Sequence, residues 1–150
     1  MTKKHTSPSS WGWLTLGVVA LGVGGWFLLN VLSTNLPSLG NITASQAYNL
    51  IQRPDAPEDL ILLDVRTAEE HAQGYLSSQG KDALNVDFYA ADFQSRLSQL
   101  DRDQTYLVYC RSGNRSSQAV ALMQQMGFKR LYNLEGGVLA WQGKNLLLER

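Results

Sequence analysis

Two apolar runs, "DLILLDV" (59–65) and "TYLVYC" (105–110), limit what this chain can become. Neither alternates polar with apolar residues, so neither suits a strand with one face in water. Near-continuous runs of this kind belong to parallel strands covered on both faces. Parallel neighbours need crossover connections, and helical stretches do follow both runs. Thr67 with Glu70 has capping-box spacing directly after the first run, and Thr43 with Gln46 marks an earlier helix start. Gly74 can close the helix that opens at Thr67. "DFQSRLSQL" (92–100), "RSSQAVALMQQM" (115–126, stopped by Gly127) and "GVLAWQG" (137–143) read as further helices, while "ALNV" and "RLYNL" read as short strands. The expected class is α/β, a parallel sheet flanked by helices, occupying residues 42–150.

Before that domain, "WGWLTLGVVALGVGGWFLLNVL" (11–32) carries no ionisable side chain. As a helix it spans roughly 33 Å, enough to cross a bilayer, and tryptophans sit near both its ends. We expect one transmembrane helix there, preceded by a tail (1–10) and followed by a polar connector, "STNLPSLGN" (33–41). The run exceeds the apolar core of an ordinary signal peptide, the main competing reading. Lys3 and Lys4 precede the span, and no Lys or Arg follows it until Arg53. Positive flanks stay inside, so a single-pass membrane protein with a cytoplasmic N-terminus and an extracytoplasmic domain is expected.

Charge adds little. Thirteen basic residues balance thirteen acidic ones, which gives no electrostatic case for nucleic acid as a partner. His5 and His71 lie far apart, and with one cysteine no zinc-type spacing exists, so neither a metal nor another cofactor is expected. The lone Cys110 cannot form an internal disulfide. It is either buried filler or a reactive group.

Its setting favours reactivity. "CRSGNRSS" (110–117) leaves the carboxyl end of a buried strand and runs straight into a helix, the edge at which α/β folds bind ligands. The first helical turn presents unpaired N–H groups and a positive dipole end; with Arg111 and Arg115 nearby, these favour a thiolate at Cys110. Gly113 allows φ > 0, which turns successive amides towards one point and builds an anion nest over the sulfur. Arg115 can in addition pair with a carboxylate such as Asp64 at the end of the neighbouring strand.

These residues carry a resemblance. "CRSGNRS" is similar to the active-site loop of rhodanese-type sulfurtransferases, "LLDVRTAEEHAQGYL" (62–76) resembles their first signature, and "GGVLAW" (136–141) resembles their last. The resemblance implies a rhodanese-like fold with Cys110 as the catalytic nucleophile. That residue takes sulfane sulfur from a small donor anion such as thiosulfate, becomes a persulfide, and passes the sulfur to a thiol or cyanide. It further implies that the amides of Arg111, Ser112, Gly113, Asn114 and Arg115 cradle the bound sulfur, while Asp64 and Arg66 support the loop. The chain departs from the pattern at His71, at Gly74-Tyr75 and in "SSQGKDALNV" (77–86), none of which touches the cysteine loop. His71 reads as a surface or packing residue, and Trp141 as a core aromatic.

Cysteine phosphatases also hold a thiolate in an amide cradle, but with five residues between Cys and Arg. Here four intervene, and Ser116 stands where that arginine belongs. The shorter ring suits one sulfur atom better than a phosphoester. The reading from a different class is a non-catalytic, membrane-tethered module of the same fold that binds a protein partner or senses oxidants.

Overall fold

A computed structural model describes residues 39–54 and 56–150. The span expected at 11–32 and the tail before it lie outside the described residues. Among the described residues, no helix is long and apolar enough to cross a membrane.

Five strands form one sheet: β1 (Leu39–Ile42), β2 (Leu60–Asp64), β5 (Leu84–Asn85), β6 (Thr105–Tyr109) and β7 (Arg130–Leu134), in the order β1-β7-β6-β2-β5. Every pairing is parallel. The two apolar runs are the neighbours β2 and β6, in register from Leu60 against Thr105 to Asp64 against Tyr109. All five residues of β6 are buried, as the unbroken apolar run requires. β1 starts inside the stretch read as a connector. Its Gly40 and Asn41 hide a strand because an edge position asks for burial on one flank only, and its partner β7 lies some ninety residues away in sequence.

The helices are α1 (Ala44–Gln52), α2 (Ala68–Ala72), α3 (Phe93–Ser98), α4 (Asn114–Gln125) and α5 (Gly137–Gln142). Both expected capping boxes form. The Gln46 amide donates to Thr43 Oγ1 at 3.3 Å, and the Glu70 amide donates to Thr67 Oγ1 at the same distance. Each cap is worth about 1 kcal/mol and fixes where its crossover leaves the sheet. A two-residue hairpin, β3 (Ser77–Ser78) with β4 (Lys81–Asp82), follows α2, and the backbones of Tyr75 and Glu149 bridge beside it.

Alternation along β2 and β6 sends Leu63, Tyr106 and Val108 to the face where Phe93 and Leu97 of α3 and Ala119, Val120 and Met123 of α4 close the core. Cys110 belongs to this cluster. Asp64 and Tyr109 project to the opposite face, where the Tyr109 hydroxyl accepts a hydrogen bond from the Leu76 amide at 3.1 Å. At the amino ends of the strands, the Arg130 guanidinium ties together Asp59, the Thr105 hydroxyl and the Asp103 carbonyl. That edge is closed off by its own ion pairs. The carboxyl edge carries Cys110 and the loop that follows it.

Candidate active site

Cys110 directly follows β6 and is 1 % exposed. A sulfur so far from bulk water takes its charge state from fixed protein groups rather than from solvent. Those groups come mostly from the main chain. Gly113, at φ +89°, caps α4 and turns its amide back on the sulfur at 3.1 Å. The Ser116 hydroxyl donates to the same atom at 3.5 Å. Burial opposes ionisation, but the Ser116 hydroxyl together with the amides of Ser116, Ser112 and Gly113 more than offsets it, so the thiol titrates below its ordinary value. The cradle expected over residues 111–115 is for a sulfur bound to Cys110, and the donors on Sγ itself form a partly different set. Ser112 and Gly113 contribute, and Ser116 joins from one residue beyond the run. Asn114 instead starts α4, where its carbonyl receives the Ser117 hydroxyl at 2.7 Å.

Arg115 does not reach Asp64. Its guanidinium forms a bidentate pair with Glu70 on α2, with Nη1 to Oε2 at 2.7 Å and Nη2 to Oε1 at 2.9 Å, and lies over the Tyr89 ring. The pairing holds the Glu70 carboxyl below the usual range and raises the arginine further. Asp64 is occupied elsewhere. Fully buried, it takes Arg66 Nε at 2.9 Å and Nη2 at 2.6 Å, and His71 Nδ1 lies 2.9 Å from its second oxygen. Arg66 also donates to the Gly74 carbonyl at 2.7 Å. Asp64 and Arg66 thus fasten the α2 segment to the sheet, and Glu70 carries that rigidity across to the cysteine loop. His71, read as a surface or packing residue, is half-buried, with its ring stacked on Tyr75 at 4.6 Å.

A second clamp acts from below. The Val138 amide donates to the Cys110 carbonyl at 2.9 Å and the Leu139 amide donates to the Arg111 carbonyl at 3.0 Å. Gly137, at φ +56°, makes this approach possible, because a Cβ there would lie 2.3 Å from the Cys110 oxygen. The "GG" of residues 136–137 is therefore a contact surface for the loop. Trp141 is buried in the core as expected, and its indole N–H donates to the Leu147 carbonyl.

Arg111 is exposed and has no carboxylate partner among the described residues. It borders a groove of about 220 Å³ whose walls include Glu70, Gln73, Leu139, Gln142 and Leu148. Among the described residues, no group of three or more His, Cys, Asp or Glu is placed to hold a metal ion. What the site can do is hold one ionised sulfur in a ring of donors, next to an unpaired cation.

Comparison with known proteins agrees with this geometry. The family model described as "Rhodanese-like domain" matches residues 43–144. A protein named "Sulfurtransferase" from Allochromatium vinosum is 41% identical over 93 residues, 62% of this chain and 81% of its own length. "Rhodanese-like domain-containing protein 17" of Arabidopsis thaliana is 30% identical over 122 residues, covering 75% of this chain and 74% of that protein. The crystal structure of a rhodanese-related protein from Thermoplasma volcanium superposes with a TM-score of 0.61 at 26% identity, covering 74% of this chain and 98% of that one.

Proposed function

Because the chain belongs to the rhodanese-like domain family, we propose that it is a sulfurtransferase working through Cys110, with a small anion such as thiosulfate as donor. The Cys110 thiolate attacks the outer sulfur of thiosulfate. A bond forms between Sγ and that sulfur, the bond to the sulfonate sulfur breaks, and its electron pair leaves with sulfite. The enzyme keeps a persulfide whose terminal sulfur bears the charge. An acceptor thiolate or cyanide then attacks that terminal sulfur, and the pair of the broken S–S bond returns to Sγ. The first step uses Cys110 as a thiolate and the second releases it as one, so stabilising that form serves both. The observation that carries the reading is the convergence of the Gly113 amide and the Ser116 hydroxyl on one buried sulfur.

The name of the Allochromatium relative supports transfer as the chemistry. Residues 11–32 anchor the protein in a membrane with the domain on the extracytoplasmic side, a reading that rests on their uncharged composition and the preceding lysines. Protease added to intact cells cleaves the domain if this orientation holds and spares it if the topology is reversed.

The test of transfer is intact mass. After incubation with thiosulfate, the full chain gains one sulfur atom and releases one equivalent of sulfite, and Cys110→Ser does neither. A wild-type protein that takes up no sulfur, while its thiol still alkylates, overturns the proposal.

A further inference from the structure

Residues 145–149 lie beyond the stretch that the family model matches, yet they join the two supports of the cysteine loop. Asn145, at φ +57°, turns the chain off the end of α5. The Leu146 amide then donates to the Trp141 carbonyl at 3.4 Å, and the Leu147 carbonyl accepts the buried Trp141 indole N–H at 2.9 Å. Farther along, the Tyr75 amide donates to the Glu149 carbonyl at 3.0 Å, and the Glu149 amide donates to the Tyr75 carbonyl at 2.8 Å. Leu148 lies against Gly74, where a Cβ would stand 3.0 Å from its own, so only a glycine admits the segment this closely. Side chains alternate along it. Leu146 and Leu148 are half-buried, whereas Leu147 is 88 % exposed. Both ends lead to the reactive loop. On one side, α5 holds the carbonyls of Cys110 and Arg111. With six residues and no side-chain cap, that helix depends on tertiary contacts for its position. On the other side, the Gly74 carbonyl accepts from Arg66, Tyr75 stacks on His71, and Arg66 and His71 both meet Asp64. Between these anchors α2 presents Glu70 to Arg115.

We propose that residues 145–149 are a latch that positions the cysteine loop, with Leu148 as a positioning residue that acts through Gly74 while the Leu147 carbonyl holds α5. A closed latch fixes α5 against the α2 segment, and the Gly113 amide and the Ser116 hydroxyl stay aimed at Sγ. Without it the buried Trp141 N–H loses its acceptor, α5 shifts, and the loop clamped to α5 follows. The latch concerns the geometry of the loop, and it rests on the sulfur-transfer reading only for its consequence in catalysis.

The test reads the sulfur directly, as the pH midpoint of Cys110 alkylation, in the full chain and in variants whose folding is checked by their urea transition. Truncation after Lys144 should raise the midpoint by about half a pH unit, less than the loss of a whole hydrogen bond to a charged group would bring. Leu148→Ser should give a smaller rise and Leu148→Met should restore the wild-type midpoint. Leu147→Ser should leave it in place, because that side chain faces solvent. A segment that merely adds stability lowers the urea midpoint and leaves alkylation where it was. That result in a folded truncated chain overturns the latch, as does an equal shift from Leu147→Ser and Leu148→Ser. If the truncated chain does not fold, the contrast between Leu148→Ser and Leu148→Met decides. Sulfur loading from thiosulfate is followed in parallel, and below the midpoint it should slow about threefold on truncation, the fall in thiolate that half a pH unit brings. A shifted midpoint in a protein whose wild type takes up no sulfur upholds the latch and removes the transfer reading. Normal loading with an unmoved midpoint does the reverse.

Discussion

The loops that leave β2 and β6 start side by side, at Asp64 and Tyr109, yet they handle charge in opposite ways. The first loop settles its charges among side chains. Asp64, Arg66 and His71 interlock in the interior, and the Asn85 amide caps the carbonyls of Asp64 and Arg66 at 3.1 and 2.9 Å. The second loop has no counter-ion on its sulfur and stabilises it with main-chain dipoles and one hydroxyl. A charge neutralised by a salt bridge is chemically quiet, whereas a charge held by dipoles can leave with a group and return. The quiet loop is the frame for the reactive one, and the Glu70–Arg115 pair joins them.

The sharpest way to break the contrast is to remove the frame. Asp64→Ala leaves Arg66 charged and buried without its partner, and should cost about 3–5 kcal/mol of folding stability, read as a lowered urea midpoint. If the variant unfolds at the wild-type midpoint, the frame is not where the stability lies. Gly137→Ala strikes the clamp under the reactive loop, where the added Cβ collides with the Cys110 carbonyl. We expect a loss of about 1–3 kcal/mol and a fall in sulfur loading larger than that loss explains, because the donors on Sγ shift with the loop. Loading unchanged in a folded Gly137→Ala protein would show that the loop keeps its shape without the clamp.

Cutting the link between the loops has a smaller effect. Glu70→Gln should cost about 1–2 kcal/mol at neutral pH. The Glu70 carboxyl is depressed in the folded state, so its contribution is present above its ordinary value near 4.5 and is lost as pH falls through the folded one. The wild-type excess over Glu70→Gln in chemical denaturation should therefore shrink below pH 4.5, and an excess that persists in acid would refute the pairing. The mildest change is Ser116→Ala. It removes one donor to sulfur, so the midpoint of Cys110 alkylation against pH should move upward, while Arg115→Ala should move it less. The reverse order would restore the arginine as the main stabiliser of the thiolate.

Much of this was legible in the residues themselves, and the parts that were not share a cause. Capping boxes at Thr43 and Thr67, the buried runs of β2 and β6, and the turn at Gly113 each depend on neighbours within a few positions, which a sequence displays directly. The carboxylate that pairs with Arg115 is Glu70, not the Asp64 that the sequence offers as an example, because the local pattern does not display which acid the fold brings over the loop across 45 residues of chain. Asp64 points to the face opposite Cys110, and the capped first turn of α2 brings Glu70 over instead. Ser116 was noticed only as the residue standing where a phosphatase arginine belongs, although a serine at the third position of α4 faces back towards the strand end. The role of Gly137 depends on contact with a carbonyl 27 positions earlier, a closeness that only the folded chain reveals.

The peptide-built seat for sulfur has a further consequence for how this protein can vary. The donors on Sγ are the amides of Ser112, Gly113 and Ser116 with the Ser116 hydroxyl, while the α5 amides hold the carbonyls of Cys110 and Arg111. Most of that grip is peptide, which a change of side chain leaves in place. The exposed Arg111 side chain can therefore be exchanged without loosening the hold on the atom, so long as the bend at Gly113 is kept.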